Sequence, residues 1–468
     1  MPTATSGGSI RLSGPLIILA VLSCIAVSFL SNGIYLLTCL ITLYTILFFT
    51  WENNRPGVIT LTLVTQWMQV VSFVIWMDVS NVDINFLSQH AGVAVICSCV
   101  GLVVIAIVIS RGIKSLPIFS SEEFYRQAKA INEKKILILY LFSTFFLDSF
   151  GLAVGAGSGL AQIVLTLSSV KWIFFLVYGY VAWINNKNRF ILFVIILFEF
   201  GTGIYSYFST FKDVILITII LALTFIRNVT FKQVFYSVCV ALLLGFILLT
   251  WTAVKGDYRQ YLNQGSNQQV VEVSRTDAFN KIKDEITQLD WRKYQLAITA
   301  FFYRLQYIYH MGLAMDRVPE FMPYEYGRVW WGNVSYVLMP RLFFPNKPTF
   351  DATIKTNKYT GLHFSGFNKG ASFSLGYFAD GYVDFGYVGM FLPLILLSLF
   401  IVFIYRTFYK LKRLSILIRF ASINVCLYPF FAFESDGLYL FGRLVILFLV
   451  FWILCKTAFP PIQRWLYK

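Results

Sequence analysis

Long apolar runs separated by short polar stretches dominate this chain, and the pattern predicts membrane-spanning helices. About twelve runs are long enough to cross a bilayer, at residues 15–31, 33–51, 57–77, 91–110, 136–156, 160–184, 190–209, 213–227, 233–254, 387–405, 419–434 and 437–455. One stretch breaks the pattern. Residues 255–386 form a polar insert between the ninth and tenth runs, so the chain divides into 1–254, 255–386 and 387–468. Within the insert, Phe279, Ile282, Ile286 and Leu289 fall at helical spacing and predict a helix over Thr276–Asp290, with Thr276 and Asp277 as its cap. Trp291–Met315 reads as a second helix, broken near Pro319. Beyond it, Pro323, Pro340, Pro345 and Pro348 predict loops, and Trp330, Trp331, Tyr336, Phe343 and Phe344 suit a segment at the membrane interface. The fold class expected is an all-α polytopic membrane protein with one long, partly helical extracytoplasmic loop.

Composition narrows the class further. Of 468 residues, 58% are hydrophobic and 13% charged, against about 45–50% and about 25% in soluble domains. A water-soluble globular chain is excluded. The net charge of +15 would fit a nucleic-acid partner were it clustered, but it is spread over alternate connections. Arg55, then Arg111 to Lys135, Lys187 and Arg189, Arg227 and Lys232, Arg406 to Arg419, and Lys456 to Lys468 lie on one side. The short connections of the other side hold only Lys212. The positive-inside rule then places both termini in the cytoplasm and the insert outside a bacterial cytoplasmic membrane. The run from Pro15 has no A-x-A site before the next one, which argues for an uncleaved first helix. All seven cysteines lie in apolar runs and none in the insert, so no disulfide framework or metal-type Cys/His spacing is expected.

Charged groups within spans are functional candidates because insertion costs about 2.5–3.5 kcal/mol each. Asp148 and Lys171 are expected to pair, either structurally or functionally. Arg443 lies about two turns inside the last span. It either pairs with Glu434 or Asp436 or holds a phosphate through its two-pronged donors. Lys212 ends the glycine- and serine-rich bend Gly201–Asp213, a setting that suits anions as well as a plain hairpin. In the insert the cations are Arg259, Arg304, Arg328, Arg341 and Lys347; the last two flank the rigid turn PRLFFPNKP and could present two charges to a pyrophosphate. Each is equally readable as a solvated surface group. Asp380 and Asp384 stand four apart before the tenth run, on one helical face, with His310 and His363 nearby in sequence. A carboxylate there could act as a general base or merely cap a helix.

At these residues the chain resembles the Wzy-type O-antigen and exopolysaccharide repeat-unit polymerases. The likeness is carried by WTAVKGDYR (Trp251–Arg259), YEYGRVWWGNVSYVLMPRLFFPNKP (Tyr324–Pro348), DGYVDFGYVG (Asp380–Gly389) and the bend ending in FKD, and it covers roughly residues 190–455. The resemblance implies a C-type, all-helical glycosyltransferase without metal or cofactor. It implies undecaprenyl-pyrophosphate-linked oligosaccharides as substrates, with a flippase and a chain-length regulator as pathway partners. Carried over, Asp380, Asp384 and His363 would be catalytic, and Arg304, Arg341, Lys347, Arg443, Lys212, Arg259 and Arg328 would hold the carrier. The family often has Glu at the position of Asp380 and an amide at that of Asp384, which leaves the base open. Two other classes compete: an O-antigen ligase, of similar layout, and a lipid-linked oligosaccharide flippase, which should show two similar halves that this chain lacks.

Overall fold

In a bilayer every backbone polar group must be satisfied within the chain, which leaves helices as the economical solution for apolar runs. The computed structural model describes residues 14–147, 161–204, 211–226, 230–265, 272–305, 307–340, 343–344, 346–366 and 372–467, and their regular structure is helical. In chain order the helices are α1 (Gly14–Val27), α2 (Gly33–Thr50), α3 (Val58–Val79), α4 (Ala91–Lys114), α5 (Ser121–Ala130), α6 (Glu133–Phe142), α7 (Ala161–Ser168), α8 (Val170–Asn185), α9 (Arg189–Ile204), α10 (Phe211–Leu223) and α11 (Phe231–Leu262). The insert then contributes α12 (Arg275–Thr287), α13 (Trp291–Leu305), α14 (Tyr307–Arg317), α15 (Arg328–Leu338) and α16 (Ala352–Thr360). It leads into α17 (Tyr377–Gly389), α18 (Phe391–Tyr409), α19 (Ile416–Leu427), α20 (Gly437–Lys456) and α21 (Phe459–Leu466).

Seven helical stretches among the described residues are long and apolar enough to cross a membrane: α2, α3, α4, the pair α7–α8 from Ile163, α11, α18 and α20. The chain is thus a helical, multi-pass membrane protein. Helices α1, α6, α9, α10 and α19 are also apolar; the first four run up to residues outside the described ones, and within the described residues none of the five reaches the ~20 residues of a full span. Helix α11 runs eight residues past the expected boundary at 254, to Leu262. The cap of α12 is Ser274, whose Oγ accepts from the Asp277 N–H at 3.1 Å, rather than Thr276.

One large core joins α2, α3, α4, α6, α8, α14 and α17–α20. A smaller one forms where Phe211 of α10, Trp251, Val254, Tyr258 and Leu262 of α11, and Ala278 and Ile282 of α12 meet. The preceding part of α11 presents Phe235, Val238, Leu242 and Phe246 outward, the surface expected of a helix sheathed in lipid.

Polar side chains fix the part that matters most. Thr65 Oγ1 donates to the Phe431 carbonyl at 3.1 Å, and the amides of Gln66 and Gln69 bind the Phe430 carbonyl and Glu434. These contacts pin the 3-10 turn Tyr428–Phe431 and the bend after it against α3. Asp436 follows as the N-cap of α20, accepting from the Leu438 N–H at 3.0 Å. Tyr377, at the start of α17, donates to Gln66 from the other side. Helices α17 and α20 are therefore registered by the same two turns of α3.

Candidate functional site

Three charged side chains converge where α16, α17 and α20 meet. Lys355 of α16 lies with its Nζ 2.6 Å from Asp380 Oδ1 and 2.5 Å from Asp436 Oδ2. The side chains are 13%, 6% and 0% exposed respectively, so this is a buried charge cluster. Asp380 Oδ2 also accepts from the Gly437 N–H at 3.1 Å and lies 3.4 Å from Asn333 Nδ2 of α15. Gly437 makes room for both side chains: a Cβ there would stand 2.9 Å from Asn333 Nδ2 and 3.1 Å from Asp380 Oδ2. Both carboxylates thus sit on the N-terminus of α20, where its free N–H groups and macrodipole favour negative charge.

The cluster holds two acids and one base. Burial and the like charge of Asp436 push the Asp380 carboxyl up to about 6, against the pull of Lys355 and the Gly437 N–H. Burial works against the Lys355 ammonium as well, but the two carboxylates outweigh it and hold its pKa above the ordinary lysine value. A carboxyl poised near neutrality is what proton abstraction requires.

Asp380 closes the polar end of a cavity of about 270 Å³. Trp330, Asn333 and Val334 of α15 form one wall, Gly381 and Tyr377 of α17 another, and Leu394, Leu397 and Phe400 of α18 face Leu440 and Phe441 of α20. Helices α18 and α20 are spanning helices, so the cavity runs from the charge cluster into the apolar depth of the bundle. Its shape and lining suit an apolar chain with a polar head at Asp380.

Asp384, one turn on, is placed differently. Its carboxylate accepts from the N–H groups of Gly327 (3.1 Å), Val329 (3.0 Å) and Trp330 (2.6 Å). It caps α15 from a distance, because the residue at the N-cap is Gly327 with φ +88° and no side chain to offer. Burial raises its pKa, and the three N–H bonds pull it back. At Gly386 the helix kinks with φ +70°, and a Cβ would meet the Tyr324 ring at 3.0 Å.

The expected cations lie elsewhere. Lys347 donates to the carbonyls of Tyr336 and Met339 (the latter at 2.9 Å) and sits 3.4 Å above the Tyr336 ring. Arg328 is exposed at the first turn of α15, 4.0 Å from Glu325. Arg259 is half-buried near the end of α11. Lys212 and Arg443 both act on the bend before α20, the first on Glu434 and the second on Tyr428. Arg443 is exposed and makes no ion pair with Glu434 or Asp436: Asp436 is taken by Lys355, Glu434 by Gln69. His363 is exposed on the loop after α16. His310 is buried on α14 beside Tyr307 and Phe364, and burial lowers its pKa to about 4. Arg341, the side chain of Arg304, and Asp148 lie outside the described residues. Lys171 pairs with Glu199 of α9 at 3.0 Å, and Tyr140 OH donates to the same carboxylate at 2.6 Å.

Lys355, Asn333 and Glu199 were not expected from sequence. A signal for Lys355 was present: it sits among Ala352, Thr353, Thr356 and Tyr359, small or amphipathic residues that pack inward and carry the lysine with them. Asp436 was expected as a partner of Arg443, and the structure pairs it with Lys355 instead.

Residues 52–458 match the family described as a domain of unknown function, DUF8712, and the chain belongs to that family. No curated protein and no solved structure matches the chain.

Proposed function

We propose that this protein is an integral-membrane glycosyltransferase that joins undecaprenyl-pyrophosphate-linked oligosaccharide repeat units into a surface polysaccharide, as the Wzy-type polymerases do. The observation that carries this reading is Asp380, a buried carboxyl poised near neutrality at the polar end of an apolar cavity between spanning helices. A lipid-linked sugar has the same two-part character.

In this reaction Asp380 takes the proton of an acceptor-sugar hydroxyl. The hydroxyl oxygen forms the new bond to the anomeric carbon of the donor, and the bond from that carbon to the carrier pyrophosphate breaks, the electron pair leaving with the pyrophosphate. Lys355 and Asp436 act through Asp380: they hold its carboxylate in place and set its charge.

The test is deletion of the gene followed by a size ladder of surface polysaccharide on a gel. Collapse to a single repeat unit, or loss of a free polymer, supports the proposal. Full-length polymer accumulating on its carrier assigns a ligase instead, and an unchanged ladder removes both.

A further inference from the structure

One face of α15 carries an aromatic, an amide and an aliphatic side chain within little more than a turn. Trp330, Asn333 and Val334 have the three- and four-residue spacing that brings side chains together on a helix, and all three line the cavity that Asp380 closes. Asp384 holds this face in place, because the N–H groups of Val329 and Trp330 donate to its carboxylate. Trp330 is half-buried and leans on Trp331 at 38°, with ring centroids 6.4 Å apart. Among the described residues no ring stacks flat on it.

The polar atoms of this face are incompletely used. Asn333 is 7% exposed, and its Nδ2 is turned to Asp380 at a long 3.4 Å. Its Oδ1 and the indole N–H of Trp330 find no partner among the described residues. Neither is sealed in the interior as the Nδ1 of His310 and the Oγ of Ser88 are. Buried polar groups are paired as a rule, so an open acceptor and an open donor on a cavity wall call for a ligand that offers both. Asn333 Oδ1 and Asp380 both accept, so the group between them donates, which a hydroxyl does and an acyl chain cannot. An aromatic face packs on the C–H side of a ring and leaves its hydroxyls to the few polar groups nearby.

We propose that Trp330 and Asn333 form the acceptor subsite. The sugar ring that presents the reacting hydroxyl lies against the Trp330 ring. Asn333 Oδ1 accepts a hydrogen bond from a hydroxyl of that ring and so holds it beside Asp380, while Val334 covers its apolar edge. The subsite rests on the glycosyltransferase reading above; Asp380 remains the base.

The test keeps the subsite distinguishable from that reading. The probe is the lipid-free repeat unit, released from its carrier by mild acid, and its contact with protein in nanodiscs is read by saturation-transfer NMR. The intact protein is expected to saturate the ring protons of the terminal sugar, Trp330→Phe to keep that signal and Trp330→Leu to lower it several-fold. Equal signals from Trp330→Leu and the intact protein, or none from the intact protein, would overturn the subsite. Val334→Trp, which fills the same wall and should exclude the probe, repeats the measurement if Trp330→Leu folds poorly. In polymerisation of lipid-linked repeat units, Asn333→Leu, of similar shape without polar atoms, is expected to lower kcat/KM at least about 10-fold, and the loss persists on the high-pH plateau. A loss that vanishes above the acid limb would make Asn333 a support of Asp380 alone and would overturn its part in the subsite. Absence of polymerisation by the intact protein would instead remove the reading beneath the subsite, and the subsite with it.

Discussion

Replacing Lys355 by Met removes the one cation between two buried carboxylates, and the consequence can be worked out. The ammonium lies within 2.6 Å of an oxygen of Asp380. Unit charges about 4 Å apart at an effective dielectric near 20 interact by about 4 kcal/mol, which is about three pH units. Asp380, at about 6 in the intact cluster, would then titrate about three units higher, near 9. At pH 7 its ionised fraction falls from roughly nine tenths to roughly one hundredth, so a rate that requires the carboxylate falls about 100-fold. The sign is fixed by linkage. Because its folded pKa is raised, the protonated form is the one the fold favours, so the stability Asp380 contributes is present below its ordinary value near 4 and lost as pH rises through about 6. The base, by contrast, gains activity as pH rises through that point. The assay is polymerisation by purified protein in nanodiscs across a pH series, with lipid-linked repeat units as substrate. The expected result is an acid limb displaced toward high pH in Lys355→Met, partly restored by Lys355→Arg. Tyr439 lies within electrostatic reach of Asp436 and Lys355 and is common to all three proteins, so the difference between profiles reports Lys355. An unchanged profile would refute the reasoning.

Other substitutions separate stability from chemistry. Asp384→Asn turns an amide N–H₂ toward N–H groups that need an acceptor; it should lose about 2 kcal/mol of stability, read as a lower melting temperature in detergent, while the pH profile stays in place. Glu199→Gln leaves the Lys171 ammonium buried against an amide. A loss of about 3–5 kcal/mol is expected, measured as reduced membrane level and melting temperature, with recovery in the Lys171→Met/Glu199→Gln double variant.

The helical membrane class was legible from sequence because apolar length and backbone satisfaction leave few alternatives. The pairing of Asp380 with α20 was not, since it depends on Gly437 admitting two side chains and on α3 pinning the bend before Asp436. The spacing of Asp380 and Asp384 correctly puts both on one helix. It cannot reveal that one faces a lysine and the other the N-terminus of α15. The proline-rich turn around Lys347 reads in sequence as a cationic loop, whereas in the structure its lysine satisfies the carbonyls of the helix it follows. Lys171 did need an acid, but the acid described beside it is Glu199, which hydropathy alone hides within a strongly apolar run.

The central claim is that Asp380 is the proton acceptor, and one comparison tests it most directly. Initial rates of polymerisation are measured for the intact protein and for Asp380→Asn at equal protein level and pH 7.5. A general base contributes about 10²- to 10⁴-fold, so the account predicts a rate at least about 100-fold lower for the folded protein, the loss of stability from breaking the Lys355 pair being read separately as a melting temperature. A rate within a few-fold of the intact protein would contradict it.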